Sequence, residues 1–289
     1  MVNAKSARAA HAAPPQPQRL VVPLSWQRVD FISDLHLQEQ DSATLVTWSR
    51  YMAQTCADAI FILGDLFEVW VGDDALATGP LPNDAPQVPF ETTVASVLAR
   101  TTQRCRVFFM HGNRDFLIGT QFLHRCGVQL LSDPCVLEFG DERWLLAHGD
   151  ALCWDDTDYM QFRLLVRSPA WTQQFLAQTL EQRRAIAREL RQRSESRKAA
   201  QVRWFDVDSD GARQWLGATQ STVLLHGHTH RPQDHDLGGG LQRIVLSDWD
   251  GAASPPRAQV LRLELPRPGK AAVFSRIAPE RSGHPEAPT

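Results

Sequence analysis

Residues 59–68 read AIFILGDLFE. A short apolar run rich in β-branched and aromatic residues predicts a buried strand over residues 59–63. The Gly64-Asp65 pair then ends that strand with a turn and a carboxylate able to hold a metal. The reading repeats outward in both directions. Buried strands are predicted over residues 29–32, 107–110, 144–147, 223–225 and 244–246, and an alternating late strand over 260–265. Helical stretches at residues 43–56 and 92–102 separate the early strands, the alternation of an α/β layered sheet.

The strand ends carry the chemistry. The first gives Asp34 and His36 in SDLHL, the second Asp65 in LGDLFE, the third Asn113 in HGNRD, the fourth His148 in AHGD, and the fifth His228 and His230 in HGHTH. In open α/β sheets, ligands sit in the crevice beyond the carboxyl ends of the strands. Seven oxygen and imidazole donors exceed the needs of one ion and suit manganese, iron(II) or zinc better than calcium. Two metals about 3.5–4 Å apart, clamped by a shared carboxylate, are the economical answer, and Asp65 is the candidate bridge. Taken singly, a D-x-H or a G-D is more often a turn or a satisfied core group; the ordered set at strand ends carries the inference. His111, His124, His226 and His235 match no ligand position and read as structural, while His11 and His284 carry no signal.

Composition sets the limits. The 289 residues are 43% hydrophobic, enough for a substantial core, and a net charge of -3 gives no reason to expect a nucleic-acid partner. Five scattered cysteines without a CxxC pair suggest reduced, mostly buried thiols. No secretory signal or membrane-spanning run is evident, so a cytoplasmic protein is expected. Residues 1–26, rich in Ala, Pro and Gln, and residues 276–289, including PERSGHPEAPT, are expected to be disordered tails around a domain at 27–275. From about 155 to 201 the sequence is helical and strand-free. Its apolar positions include Phe162, Leu165, Trp171, Phe175, Leu176 and Leu180, and its later part is basic, from Arg183 and Arg184 through Arg188, Arg191, Arg193 and Arg197 to Lys198. It reads as a helical cap inserted between core strands, whose apolar stripe could receive acyl chains or could simply pack on the core.

The set D-x-H, G-D, G-N-R-D, H-G-D and G-H-T-H resembles the calcineurin-like metallophosphoesterases over residues 29–249. The resemblance implies a layered β-sandwich flanked by helices. It assigns Asp34, His36, Asp65 and His230 to one ion, and Asp65, Asn113, His148 and His228 to the other. The longer stretches FISDLHL, ILGDLFEVWVGDD, HGNRDFLIG, HGDALCWDD and HGHTHRP are similar to the UDP-2,3-diacylglucosamine diphosphatases of lipid A biosynthesis. That branch implies manganese and a peripheral place on the cytoplasmic face of the inner membrane. It implies hydrolysis of an acylated UDP-sugar to UMP and the lipid 1-phosphate, by a di-metal-activated water attacking the α-phosphorus. By the same resemblance Asp65, Asn113, Arg114 and His228 are catalytic, and Asn113, Arg114, Asp156, Ser194, Lys198 and His228 touch substrate; Lys198 or Arg197 stands in where the family pattern aligns one residue short.

Arg114 supports a diphosphate substrate on physical grounds. Many phosphomonoesterases of this fold carry histidine there to protonate an alkoxide leaving group. Arginine delivers no proton near neutral pH but grips phosphate oxygens with a planar fork. The alternative within the same fold is a phosphoesterase acting on nucleotides or phosphoproteins, and a binding module would usually be expected to have lost some ligands, whereas here every position is filled.

Overall fold

The computed structural model describes residues 14–76, 88–200, 205–264 and 272–283, the side chains of residues 193–200 excepted. Two six-stranded sheets lie face to face. The first runs β12-β11-β2-β3-β4-β5, from β2 (Arg28–Ile32), β3 (Ala59–Leu63), β4 (Arg106–Met110), β5 (Gln129–Leu131), β11 (Val260–Glu264) and β12 (Val273–Ile277). The second runs β1-β6-β7-β8-β10-β9, from β1 (Gln18–Val21), β6 (Cys135–Phe139), β7 (Glu142–Ala147), β8 (Val223–His226), β9 (Asp234–Gly238) and β10 (Leu241–Val245).

Strands β2, β3, β4 and β5 are mutually parallel, as are β7, β8 and β10. Parallel strands covered on both faces need continuous apolar runs, and β3 is buried at every position. Phe31, Phe61 and Phe108 are register partners across β2, β3 and β4, and their rings stack at 5.0 and 4.8 Å. This ladder fixes the relative height of three strands, and therefore of the loops that leave their carboxyl ends. Trp144, Leu146, Leu225 and Ile244 complete the layer between the sheets.

Helices cover both outer faces. Over the first sheet lie α1 (Ser42–Gln54), α2 (Phe90–Thr101) and α3 (Thr120–Cys126), with Trp48, Tyr51, Val94, Leu98 and Phe122 buried beneath them. Asp41 starts α1 by accepting the Thr44 amide at 3.0 Å, and Gly127, at φ 67, ends α3 in the left-handed form that an absent Cβ allows. Over the second sheet, α4 (Thr157–Val166) and α7 (Ser209–Thr219) enclose Trp154, Met160, Trp215 and Leu216. All five cysteines are free and four are buried, Cys56 being half-buried.

The expected cap is present as α4, α5 (Pro169–Leu176) and α6 (Leu180–Ala200), between β7 and β8. Its apolar positions divide. Phe175 and Ala187 are buried against Trp70, Val71 and Leu117, with Trp171 and Leu180 packed beside them, whereas Phe162, Leu165 and Leu176 are exposed. Arg183, the first of the basic residues in the cap's later part, is buried and donates to the Val71 carbonyl and the Asp74 carboxylate, latching α6 to the loop after β3.

The tails depart from expectation. Inside the stretch 1–26, Gln18–Val21 forms an edge strand parallel to β6, closed by a reciprocal pair of 3.0 Å bonds between Gln18 and Ser132. Inside 276–289, Arg276 and Ile277 belong to β12, and Ser282 is fully buried with its carbonyl accepting from Arg262 at 2.9 Å. Low average hydrophobicity concealed a few residues whose backbone groups complete an open edge or cap a buried ion pair. His11 and His284 lie outside the described residues.

Candidate active site

The carboxyl ends of β2, β3 and β4 from one sheet, and of β7 and β8 from the other, open on the same crevice, and the donors leave them there. Asp34, His36, Asp65, His228 and His230 all have positive φ, between 46° and 66°. Left-handed backbone at a side-chain-bearing residue costs on the order of 1 kcal/mol and persists only where the surroundings enforce it. Here they do. The Asp34 amide donates to the Gly64 carbonyl at 3.1 Å, the His36 amide to the Asp65 carbonyl at 3.0 Å, and the Gly227 amide to the His148 carbonyl at 3.0 Å. Glycine is required where backbones press on the carboxylates: a Cβ on Gly112 would collide with Asp65 Oδ1, and one on Gly227 with Asp34 Oδ2.

Two sets of donors result. Asp34, His36 and His230 offer atoms that lie within 4.8 Å of one another, and so do Asp34, Asp65 and His148. Asp65 faces both sets, with Oδ1 3.8 Å from His148 Nε2 and Oδ2 3.9 Å from His36 Nε2. Asp34, assigned from sequence to one ion only, reaches both sets as well. Asn113 Oδ1 sits 2.9 Å from His148 Nε2 and 2.9 Å from His228 Nδ1, which closes the second set.

The electrostatics call for a cation. Among the described residues, no Lys or Arg side chain pairs with the buried Asp34 or Asp65. Burial pushes the Asp34 carboxyl up, but hydrogen bonding and charge from His230, then His148 and His36, carry it well below the usual carboxylate range. Burial alone would lower His148, yet the charges of Asp65, Asp150 and Asp34 raise it to about 9. His148 Nδ1 faces the Leu63 carbonyl at 2.9 Å, and a carbonyl only accepts, so Nδ1 carries a proton and Nε2 is the atom turned toward Asn113 Oδ1. His228 goes the other way, lowered to about 3 by burial and then by the charge of His148. Buried carboxylates, imidazole nitrogens and an amide oxygen converging in this manner fit two divalent ions.

The remaining sequence candidates are less central. Arg114 donates its amide to Asp65 Oδ1 at 2.8 Å, and its guanidinium lies 3.7 Å from Glu68. Asp156 caps α4, its carboxylate accepting the Tyr159 amide at 3.1 Å. The side chains of Ser194 and Lys198 lie outside the described residues.

Several functional neighbours escaped the sequence reading. Asp115 is fully buried and accepts from the Leu66 and Gly112 amides at 2.7 and 2.9 Å, bracing the Asp65 and Asn113 loops. Asp150 anchors the cap: it accepts from Tyr159 Oη at 2.6 Å and Arg163 Nε at 2.8 Å, while Arg167 reaches the Gly112 carbonyl at 2.9 Å. Tyr159 stands beside His228, ring centres 5.8 Å apart. The signal was available in the charged residues just after the donors in GNRD and HGD, but partners in the cap could not be read from it.

The profile of the calcineurin-like phosphoesterases matches residues 27–232, which hold every one of these donors. A UDP-2,3-diacylglucosamine hydrolase of Stutzerimonas stutzeri (strain A1501) is 41% identical over 228 residues, 76% of this chain and 90% of that protein. Proteins of the same name from Chromobacterium violaceum and Ralstonia nicotianae are 41% and 42% identical, over 77% and 82% of this chain and 91% and 89% of theirs. With that match running through the whole donor cluster, the chain belongs to the calcineurin-like phosphoesterase family.

Proposed function

We propose that this protein hydrolyses the pyrophosphate bond of UDP-2,3-diacylglucosamine, releasing UMP and 2,3-diacylglucosamine 1-phosphate in lipid A biosynthesis. The observation that carries the reading is the Asp65 carboxylate, one oxygen turned to His148 and the other to His36, with Arg114 fixed beside it by its own amide. The names of relatives about 40% identical over three quarters of the chain supply the substrate class.

In this reading Asp34, His36, Asp65 and His230 hold one ion and Asp65, Asn113, His148 and His228 the other, with manganese the expected metal. Such ions supply Lewis acidity toward phosphate oxygens and acidify water. The protein does the rest. Water attacks the uridine-side phosphorus, and the departing group is a phosphate that needs little protonation. Arg114 therefore serves as a fixed cation for non-bridging oxygens. His228, its pKa lowered to about 3 and its ring therefore uncharged near pH 7, can meet the same phosphate only as a hydrogen-bonding partner through the ring nitrogen that the ion would leave open. Asp156, Ser194 and Lys198 are the further substrate contacts of this reading.

The cap is the lipid side. Among the described residues no helix is long and apolar enough to cross a membrane, but Phe162, Leu164 and Leu165 stand 39%, 59% and 57% exposed on α4. Such a face supports peripheral attachment to the cytoplasmic side of the inner membrane.

The test is hydrolysis of synthetic UDP-2,3-diacylglucosamine with manganese in 18O water, against soluble nucleotides and a phosphopeptide. The expected result is preference for the lipid, with the isotope in UMP. Preference for the soluble compounds, or the isotope in the lipid phosphate, overturns the substrate or the site of attack respectively.

A further inference from the structure

Glu68 lies three residues beyond Asp65 and is absent from the donor set, yet three functional side chains meet at its carboxylate. Oε2 is 3.0 Å from His36 Nδ1; Oε1 is 3.7 Å from an Arg114 guanidinium nitrogen and 3.3 Å from Arg191 Nε. The Glu68 side chain is 13% exposed. Its backbone leaves it little choice of place. The His36 amide donates to the Asp65 carbonyl at 3.0 Å, the Leu37 amide to the Leu66 carbonyl at 2.9 Å, and the Glu68 amide to the Leu37 carbonyl at 3.1 Å. The two ligand loops are thus laced together, with Glu68 beside the His36 ring.

We infer that Glu68 is a positioning residue that aims His36 at the metal site and holds Arg114 ready for phosphate, and that Arg191 of the cap docks on the same carboxylate. The inference rests on reading the donors as a metal site. An imidazole can present a bare nitrogen on only one side. With Nδ1 turned to an anionic oxygen, the proton belongs there, and the lone pair belongs on Nε2, 3.2 Å from His230 Nε2. The Nδ1 contact is short but off-line as a hydrogen bond, so charge and proximity carry it. Arg191 also reaches Gln38 Oε1 at 3.3 Å, so α6 touches the loop that carries His36 directly and the loop that carries Asp65 through Glu68. Cap and metal site are joined through one carboxylate.

A merely structural ion pair would affect only folding stability, so the test reads metal binding directly. Cobalt(II) is titrated into the full chain by calorimetry and visible absorption, for the wild type, Glu68→Ala, Glu68→Gln and Arg191→Met, with melts in chelator as the check on folding. Glu68→Ala should weaken cobalt binding about 10- to 100-fold, the usual effect of losing such a partner, and should alter the d–d absorption. Glu68→Gln, whose amide oxygen still accepts from Nδ1, should lose less. Arg191→Met, which leaves the His36 contact intact, should stay within about twofold of the wild type. Wild-type affinity and spectrum in Glu68→Ala overturn the inference, whatever its melting temperature. Should that variant not fold, Glu68→Met, which removes the acceptor but keeps the bulk, is titrated in its place, and wild-type binding by it does the same. An equal loss in Arg191→Met overturns the assignment of His36 to Glu68. Because cobalt alone is the probe, failure of the lipid-substrate reading would leave this outcome untouched.

Discussion

Replacing Asp65 by Asn should leave the metal-free protein close to its wild-type stability and remove most of the stabilisation that metal provides. Asn tolerates the left-handed φ of 53° as well as Asp does, and its amide oxygen can still accept from the Arg114 amide, so the backbone has no reason to move. What changes is one buried negative charge. In the metal-free protein that charge acts both ways: it repels a buried carboxyl, and against burial it is the leading upward pull on His148. The neighbouring Asp115 carboxyl is raised to about 7, by burial first and by the charge of Asp65 second. Removing Asp65's charge relieves that repulsion and forfeits the attraction to His148, so the metal-free variant should melt close to the wild type. With metal at about 100 times its dissociation constant, the wild type gains about 2.7 kcal/mol, which for a domain of this size is about 5–11 °C. A unit charge about 4 Å from a cation at an effective dielectric constant near 20 contributes about 4 kcal/mol, roughly a thousandfold in affinity. At the same metal concentration the variant should therefore gain almost nothing. Scanning fluorimetry with manganese and with chelator gives all four melting temperatures. A metal-induced shift preserved in Asp65→Asn, or a metal-free variant that melts several degrees lower, would refute the argument that Asp65 is held unpaired for a cation.

Other perturbations separate scaffold from site. Arg262→Met should cost about 3–5 kcal/mol in urea unfolding, because it strands the fully buried Asp30, which now receives Arg262 Nε at 2.7 Å and a second guanidinium nitrogen at 2.9 Å; the double variant with Asp30→Asn should recover part of the loss. Gly112→Ala should weaken metal binding more than it lowers the melting temperature, since the added methyl meets the Asp65 carboxylate. Metal-free stability should peak near pH 6.5: His148, raised to about 9, contributes stability that is full below 6.5 and lost as pH rises through 9, while His228, lowered to about 3, disfavours the fold as pH falls below 6.5. Denaturant midpoints in chelator across pH 5–9 check that profile. Replacing exposed Leu164 and Leu165 by Asp should leave the fold intact and reduce co-sedimentation with anionic vesicles severalfold.

The interior strands were legible because burial on both faces forces an uninterrupted apolar run, and the observed β2, β3, β4, β7 and β8 coincide with those runs to within two residues. Edge strands answer to a weaker requirement. Strand β9, DHDLG, needs one partner and faces water, and β1 needs only its backbone and a few apolar neighbours, so neither leaves the same mark. The donors were legible for a related reason: a residue that must sit at a strand end behind a tight turn is announced by the strand and its glycine. Glu68, Asp150 and Tyr159 have no such frame. Their roles depend on partners such as Arg191 and Arg163 more than ten residues away or in another element, and no local spacing encodes that.

The same division explains where the fold tolerates strain. Five left-handed residues, the buried carboxylates of Asp34 and Asp65 and two histidines pushed upward all gather in loops leaving the strands, while the aromatic ladder Phe31, Phe61, Phe108 beneath them is free of polar groups. A loop held only by its own contacts would relax out of such a conformation. These loops cannot, because each is tied to the next: the loop of Asp34 to that of Asp65, the loop of His148 to that of His228, and His228 to the Asp34 carboxylate by its amide at 2.9 Å. That last bond joins the two sheets at the site itself. A substitution that shifts one sheet against the other, such as Phe61→Ala in the ladder, should therefore lower metal affinity although it lies beneath the crevice and touches none of the donors, and comparison of its cobalt affinity with that of an equally destabilised variant elsewhere would separate this coupling from a general loss of stability.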